Sequence, residues 1–360
     1  MRTLLLALCT FCSLLSFSQN LKPEFDKEEY IQIMRMTSRF GDSTFYKNIP
    51  EPIGFKRVYR SPIMGLDNLW DLWISEKGYA VINVRGTTAK NISWLENFYA
   101  AMVPAQGEIQ VKPDKIFKYQ LARNPKAAVH PGWLIGLASI SDDVISKIDS
   151  CYGVGIREFI LTGHSQGGAI NYLLTAHLFD MQSKGMMWKD IRFKSICSAA
   201  PKPGNLHFAY DYEDLTKGGW CMSVVNSADW VPEVPITIQT LNDFNTTNPF
   251  SNAEEIIKKQ KFMTRLVMKK IYNDLNGATQ DAHETYKEIL GEKTYPLIQK
   301  ELPFYKMPDF IDGGNYSRVG PFVILRADEA YFQKYPESTT NNFIHHMMAP
   351  YIFLAERYQP

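Results

Sequence analysis

The sequence has 360 residues, of which 45% are hydrophobic and 21% are charged. Such a composition allows a large buried core and excludes a wholly disordered chain. The 39 Lys and Arg residues nearly balance the 38 Asp and Glu residues, so the net charge is only +1. No strong electrostatic field draws the chain to nucleic acid, and we expect no nucleic-acid partner.

Residues 1–18 are predicted to be a signal peptide. Arg2 precedes an apolar run that ends in Ser16-Phe17-Ser18, with small residues at the two positions that signal peptidase reads. Cleavage after Ser18 would leave a mature domain of residues 19–360. The apolar run is too short for a membrane span, so we expect an exported protein, either periplasmic or secreted.

The cysteines do not indicate a disulfide scaffold. Cys9 and Cys12 would leave with the signal peptide, and Cys151, Cys197 and Cys221 would remain. Buried free thiols are the favoured interpretation, although a pair between Cys197 and Cys221 stays open. The sequence has no CxxC or HExxH spacing, and we expect neither a metal nor a cofactor.

Apolar runs along the chain predict alternating strands and helices. The predicted strands lie at 72–74, 79–84, 159–161, 195–199, 222–225 and 322–325. Helical periodicity is present at 133–148 and again from residue 169. This alternation is typical of an α/β fold with a mostly parallel central sheet, here with an antiparallel start.

Residues 236–316 interrupt the alternation and are predicted to be a helical insertion or cap. Ser251 and Glu254 have the spacing of a capping box before an apolar, helix-periodic run. The same run holds six basic residues, Lys258, Lys259, Lys261, Arg265, Lys269 and Lys270. We favour the solvated face of a cap helix packed on the core, and contact with an anionic surface is the alternative.

A nucleophile elbow is predicted at Gly163-His164-Ser165-Gln166-Gly167. The pattern GxSxG places a serine on a sharp turn, and the glycines leave room for that turn. A short pattern of this kind is weak evidence alone. Here it follows a predicted strand and precedes a predicted helix, which is the context that the motif requires.

A serine nucleophile needs an imidazole to take its proton and an acid to orient that imidazole. Asp229 follows a predicted strand, at the edge where open α/β sheets carry their sites. Of the seven histidines, His345 and His346 follow the last predicted strand. Both satisfy the chain order nucleophile, acid, base, and position alone leaves the choice between them open.

Acyl transfer also needs fixed hydrogen-bond donors for a negatively charged oxygen. The backbone N–H of Gln166, next to the nucleophile, is one candidate. The loop after the strand 79–84 supplies the other, because Thr87 offers both its N–H and its hydroxyl.

Several motifs together resemble the fungal-type class 3 lipases of the α/β-hydrolase fold. They cover roughly 65–235 and a C-terminal histidine. The motifs are Val84-Arg85-Gly86-Thr87 with Trp94 and Asn97-Phe98, Val129-His130-Pro131-Gly132-Trp133, Gly163-His164-Ser165-Gln166-Gly167-Gly168, Ala200-Pro201-Lys202-Pro203-Gly204-Asn205, and Val225-Asn226 through Asp229-Trp230-Val231-Pro232.

The resemblance implies Ser165 as nucleophile, Asp229 as acid, and Thr87 with Gln166 as oxyanion donors. It also implies His346 as base, because the family histidine is often followed by Met two places on and by Tyr five places on. His346 has both, at Met348 and Tyr351, whereas His345 has Pro350 in the second position.

Two features depart from the family pattern. Gln166 stands where the family commonly has Leu, which makes the floor beside the nucleophile more polar. The insertion 236–316 is longer than in a minimal member, while family lids usually occupy the segment that corresponds to 88–130. Either segment is a candidate lid.

We therefore expect an exported serine hydrolase that cleaves carboxylic esters, with acylglycerol lipids as the favoured substrates and transient contact with a lipid surface. A phospholipase, or a carbohydrate or phenolic esterase, of the same fold is the nearest alternative. A catalytically idle hydrolase fold that binds lipid or protein is the alternative from another class, and an intact Ser165, Asp229 and His346 argues against it. The sequence does not indicate the oligomeric state.

Overall fold

A computed structural model describes residues 20–41 and 46–359. The predicted signal peptide and its cleavage site lie outside the described residues. A seven-stranded sheet forms the centre of the fold, with the strand order β1-β2-β3-β8-β9-β11-β13. The strands are β1 (Phe55–Arg60), β2 (Trp70–Ser75), β3 (Ala80–Val84), β4 (Val103–Pro104), β5 (Gln106–Lys112), β6 (Lys115–Gln120), β7 (Ala128–Val129), β8 (Glu158–His164), β9 (Arg192–Ser198), β10 (Gly204–Asn205), β11 (Cys221–Asn226), β12 (Tyr316–Ser317) and β13 (Phe322–Leu325).

The register of the central sheet confirms the predicted α/β class. β1, β2 and β3 pair antiparallel, and every pairing from β3 through β8, β9 and β11 to β13 is parallel. All six predicted strands are present, whereas the sequence analysis missed β1, which lies at the edge of the sheet. β1 is largely exposed, so it lacks the apolar run that reveals a buried strand.

Helices cover both faces of the sheet. They are α1 (Lys27–Ser38), α2 (Asn91–Phe98), α3 (Pro131–Gly153), α4 (Gln166–Ser183), α5 (Leu206–Leu215), α6 (Ala253–Lys258), α7 (Phe262–Lys287), α8 (Tyr295–Glu301), α9 (Glu329–Lys334) and α10 (Met348–Arg357), with a π-helical turn at Glu288–Glu292. Neighbouring strand residues belong to opposite cores: Ile82 packs on the α3 and α4 side, and Val81 on the α1 and α10 side. Because both faces are buried, the parallel strands read as continuous apolar runs.

The segment 88–130 contains more structure than the sequence predicted. After α2 it forms the hairpin β5–β6, and the short strands β4 and β7 join β10 and β12 in a second, four-stranded sheet. Ile109 and Phe117 of the hairpin are buried in the main core. Two-residue strands carry no periodicity of their own, which is why the sequence does not reveal them.

The insertion differs from its predicted form. The predicted capping box is wrong: Asn252 occupies the N-cap position of α6 without a side-chain cap, and the Ser251 hydroxyl donates to the Asn248 carbonyl at 2.7 Å. The expected single helix is two helices, α6 and α7. His283 is the buried residue of α7, and the large apolar residues of its first turns are exposed rather than packed on the core. Among the described residues, none of the helices combines the length and apolar content needed to cross a bilayer.

The junction between β8 and α4 is packed against β3 with no room for side chains at two glycines. A Cβ on Gly163 would lie 2.3 Å from the Gly167 carbonyl carbon, and one on Gly167 would lie 2.2 Å from the Val84 carbonyl oxygen. Real Cβ atoms do not approach backbone so closely, so either substitution forces the strand and the helix apart.

We expect Gly167→Ala to lower the free energy of unfolding by about 3 kcal/mol or more, because backbone cannot retreat as a flexible side chain can. Gly277 in α7 is the matched control, since a Cβ there meets no heavy atom within 4 Å. Gly277→Ala should raise the free energy of unfolding by up to about 1 kcal/mol through helix propensity. Urea unfolding measures both, and an unchanged Gly167→Ala protein would contradict the packing argument.

Candidate active site

Ser165 occupies the turn between β8 and α4, at the carboxyl end of the central strand of the sheet. Its backbone has φ = +60°, in the left-handed region that residues with a side chain rarely adopt. The loop 85–88, which follows the neighbouring strand β3, lies directly against Ser165. A Cβ on Gly86 would be 3.3 Å from Ser165 Cβ and 2.8 Å from the His164 carbonyl oxygen. The glycine therefore lets the 85–88 loop approach the serine.

Asp229 and His346 form a buried pair although 117 residues separate them in the chain. His346 Nδ1 donates to Asp229 Oδ2 at 2.7 Å, and Tyr351 Oη donates to the same oxygen at 2.8 Å. Asp229 Oδ1 accepts the Val231 N–H at 3.0 Å. Burial alone would raise the pKa of Asp229, but these hydrogen bonds and the charge of His346 outweigh it, so the pKa lies below its usual range.

His345 faces a different environment. Its Nδ1 accepts from the Tyr331 hydroxyl at 2.8 Å, and its Nε2 is 3.4 Å from Glu337 Oε2. The His345 side chain therefore contacts α9, whereas that of His346 contacts Asp229. The structure thus separates the two histidines that chain order left equivalent.

A chain of buried hydrogen bonds holds the backbone of His346. Burial, with the charge of nearby His346, lowers the pKa of His164 to about 3, so His164 is neutral and has one N–H. That N–H is on Nε2, because its partner at 2.7 Å is the His346 carbonyl oxygen, which can only accept. Nδ1 must then accept from the Ser198 hydroxyl at 3.0 Å, and Tyr30 donates to Ser198 Oγ at 2.6 Å.

Ser165 and His346 are close but are not joined in this structure. His164, next to the serine, lies beside His346 with the ring centroids 4.7 Å apart and the ring planes tilted by 39°. Both residues lie within the described part of the chain, and no hydrogen bond connects Ser165 Oγ with His346 Nε2. In substrate-free enzymes such contacts are often long and tighten only when substrate binds.

Two backbone N–H groups are available beside Ser165. Gln166 is the first residue of α4, where N–H groups have no acceptor within the helix. The Thr87 N–H also has no acceptor among the described residues. The Thr87 hydroxyl, in contrast, is 2.8 Å from Gln166 Oε1 and donates its proton there. We expected the Thr87 hydroxyl to be free to donate to an oxyanion, but its proton is donated to the Gln166 amide oxygen instead.

Asn97 fixes the position of the Thr87 side chain. Its Nδ2 donates to Thr87 Oγ1 at 2.9 Å. Its own oxygens accept from Trp133 Nε1 at 2.9 Å and from His130 Nε2 at 3.1 Å. His130 also caps α3 through the Trp133 N–H and stacks on the Trp133 ring. The motif at 129–133 therefore serves to orient Asn97, a task that its sequence did not reveal.

Sequence reasoning missed Glu96. It is completely buried, and Asn68 Nδ2 donates to its Oε2 at 2.9 Å. Burial raises the pKa of Glu96 well above its usual range, which favours the neutral carboxyl. A neutral carboxyl adds no negative charge near Thr87. Glu96 lies on α2 between two partly buried neighbours, and no sequence signal distinguished it from a surface glutamate.

Aromatic side chains border the His346 side of the site. The Phe343 ring lies 5.9 Å from the His346 ring, 5.4 Å from Trp230 and 6.0 Å from Trp94, measured between centroids. Trp94 belongs to α2, within the segment 88–130 that family lids occupy. We call Trp94, Trp230 and Phe343 the aromatic rim.

The parallel sheet, with Ser165 after β8, Asp229 after β11 and His346 after β13, has the architecture of the α/β-hydrolase fold. Residues 81–239 match the family model described as "Lipase (class 3)". The match covers less than half of the chain and agrees with the resemblance to class 3 lipases that the sequence motifs indicated.

A curated relative is a secreted mono- and diacylglycerol lipase of Malassezia globosa, 27% identical over 203 residues. The match covers 56% of this chain, and the chain spans 57% of the length of that relative.

Solved structures that resemble the fold include a Rhizomucor miehei lipase–propeptide complex (16% identity, 59% of this chain and 65% of that chain, TM-score 0.42). Lipase II from Rhizopus niveus is similar at 20% identity, with 58% of this chain and 74% of that chain covered and a TM-score of 0.41.

We expect Tyr351→Phe to lower the free energy of unfolding at neutral pH by about 1–3 kcal/mol. It removes a donor to Asp229 and the acceptor of the Asn226 N–H, which the Tyr351 hydroxyl oxygen holds at 3.1 Å. A carboxylate with a lowered pKa stabilises the fold above its unfolded pKa, about 3.9, and that contribution is lost as the pH falls through the folded pKa.

The stability difference between wild type and Tyr351→Phe should therefore narrow below about pH 4. Urea unfolding between pH 3 and 7 measures it. Tyr335→Phe is the matched control, because the Tyr335 hydroxyl has no hydrogen bond within the described ranges. Equal losses in the two variants would contradict the assigned role of the Tyr351 hydroxyl.

Proposed function

We propose that the protein is an exported serine hydrolase that cleaves carboxylic esters, with acylglycerol lipids as substrates. The observation that carries this proposal is the buried Asp229–His346 pair next to a serine held at φ = +60°. Chemistry of this kind requires a nucleophile, a base and an orienting acid, and these three residues have the matching side chains and surroundings.

His346 acts as the base through Nε2. Because Nδ1 donates its proton to Asp229 Oδ2, Nε2 carries the lone pair and can accept the Ser165 hydroxyl proton. Ser165 Oγ then attacks the ester carbonyl, and collapse of the tetrahedral intermediate breaks the ester bond. The imidazolium returns its proton to the departing alcohol. Water, deprotonated by His346, attacks the acyl-enzyme and releases the carboxylic acid.

The negative oxygen of the intermediate is stabilised by the N–H groups of Gln166 and Thr87. The Gln166 side chain has a second task in this proposal: its amide oxygen fixes the Thr87 hydroxyl and so the loop that presents the Thr87 N–H. Burial raises the pKa of Glu96 and so favours its neutral form, which adds no negative charge beside the oxyanion. No cofactor takes part in these steps.

The substrate class rests on two observations. The aromatic rim offers an apolar surface beside His346, where the acyl or alcohol part of an ester would lie. The relative from Malassezia globosa is a mono- and diacylglycerol lipase. Export rests on the leader pattern of residues 1–18.

The test is hydrolysis of nitrophenyl esters from acetate to long-chain acyl, together with monoacylglycerol and diacylglycerol, by residues 19–360. We expect turnover that rises towards long chains and is lost in Ser165→Ala, which should retain the unfolding curve of the wild type. A preference for acetate would move the proposal to a general esterase. Turnover that survives in Ser165→Ala would refute the serine mechanism.

A second test separates the two histidines. His346→Ala should reduce kcat/KM by roughly 10⁴-fold or more, because the base and its link to Asp229 are both lost. His345→Ala is the matched control and should remain within about tenfold of wild type, since His345 contacts Tyr331 and Glu337 instead. The reverse result would assign the base to His345.

A further inference from the structure

The first turns of α7 expose an apolar face that nothing in the described structure covers. The exposed fractions are 63% for Phe262, 69% for Met263, 49% for Leu266, 56% for Val267, 54% for Ile271 and 66% for Leu275. Four of these residues, Met263, Val267, Ile271 and Leu275, follow one another at intervals of four and so lie along one side of the helix. We call the six residues the apolar face of α7.

This exposure is unusual for a helix of a globular protein, which normally turns its apolar side to the core. The helix is 26 residues long, and its anchoring contacts are at its C-terminal end. There His283 is buried, and Lys287 forms an ion pair with Asp312 at 3.0 Å. The first turns therefore leave their apolar side open to solvent.

Positive charge is concentrated on the same part of the chain. Residues 258–273 contain six basic residues and no acidic one, in a chain whose net charge is only +1. Lys258 pairs with Glu254 and Lys270 with Asp274. The remaining four, Lys259, Lys261, Arg265 and Lys269, form no ion pair within the described residues.

We propose that the apolar face of α7 and its flanking cations form a docking surface for a lipid bilayer that carries anionic headgroups. A helix of 20–30 residues with Phe and Leu on one side and Lys and Arg beside them lies in the plane of a membrane interface. Its apolar residues enter the boundary between headgroups and acyl chains, and the flexible Lys and Arg stems allow their charges to reach the phosphates.

This proposal is independent of the ester-hydrolase proposal, because docking requires neither Ser165 nor turnover. The charge pattern favours a lipid bilayer over an apolar protein groove as the occupant. The cations without an ion pair complement the anionic headgroups of a bilayer, and the apolar face of α7 complements the acyl chains beneath them. A second copy of the chain is the other occupant to test: the acidic residues of α7 begin at Asp274, so two antiparallel α7 helices would also pair opposite charges.

The experiment is co-sedimentation of residues 19–360 carrying Ser165→Ala with vesicles of phosphatidylcholine and phosphatidylglycerol in equal parts, at low and high salt. We expect binding to the mixed vesicles, and weaker binding at high salt or to pure phosphatidylcholine. Val267→Glu with Ile271→Glu should weaken binding at least tenfold by placing charge in the apolar layer. Lys261→Gln with Lys269→Gln should weaken it about 25-fold at low salt, roughly fivefold per charge.

The matched control is Ile53→Glu with Val58→Glu. These residues are 70% and 50% exposed and lie near the edge strand β1, so the same chemical change occurs outside the insertion. The control should bind vesicles as the parent protein does. Equal binding by the Val267/Ile271 variant and the parent, or no binding of the parent to the mixed vesicles, overturns the proposal.

Sedimentation velocity on the same proteins tests the second copy. A concentration-dependent dimer that the Val267→Glu and Ile271→Glu changes abolish, without any vesicle binding, would assign the face to self-association and overturn lipid docking. Hydrolysis of nitrophenyl acetate by the corresponding proteins with Ser165 intact is measured in parallel. Failure of ester hydrolysis and failure of docking are therefore separate results.

Discussion

The backbone turn at Ser165 is the constraint on which the rest of the candidate site depends. A residue with a side chain is held at φ = +60° because β8 and α4 meet without space for a Cβ at Gly163 or Gly167. The same close packing brings the end of β3 onto the turn, and Gly86 lets the next loop touch Ser165. One steric arrangement thus positions both the serine and the neighbouring N–H of Thr87.

The acid–base pair depends on buried polar groups that satisfy one another. Asp229 accepts hydrogen bonds from His346, from the Tyr351 hydroxyl and from the Val231 N–H. His164 donates a hydrogen bond to the His346 carbonyl oxygen. A buried polar atom without a partner is costly, so each of these groups has few alternative positions. This network, rather than the three reactive side chains alone, keeps the imidazole aimed in one direction.

Much of the fold could be predicted because its elements are local patterns. The parallel strands are apolar runs, and the elbow is a five-residue motif between a strand and a helix. The sequence of residues 159–169 is therefore enough to predict a strand, the turn at the serine and the start of a helix. The insertion could not be predicted in the same way. Its periodicity indicated a helix, but an apolar stripe looks the same whether it faces a core or solvent, and the exposure of Val267 and Ile271 appears only in three dimensions.

The sequence by itself determined the α/β class and the resemblance of its motifs to class 3 lipases. It also pointed to the candidates Ser165, Asp229 and Thr87, because each of them follows a strand whose apolar pattern is local. The motif resemblance had favoured His346 over His345, and only the tertiary structure showed the hydrogen bond between His346 and Asp229. Only the tertiary structure showed that the Thr87 hydroxyl donates to Gln166 and that Glu96 is buried. The physical reason is that hydrogen-bond partners and burial depend on which distant segments of the chain come into contact. The local sequence around a residue contains no information about those contacts.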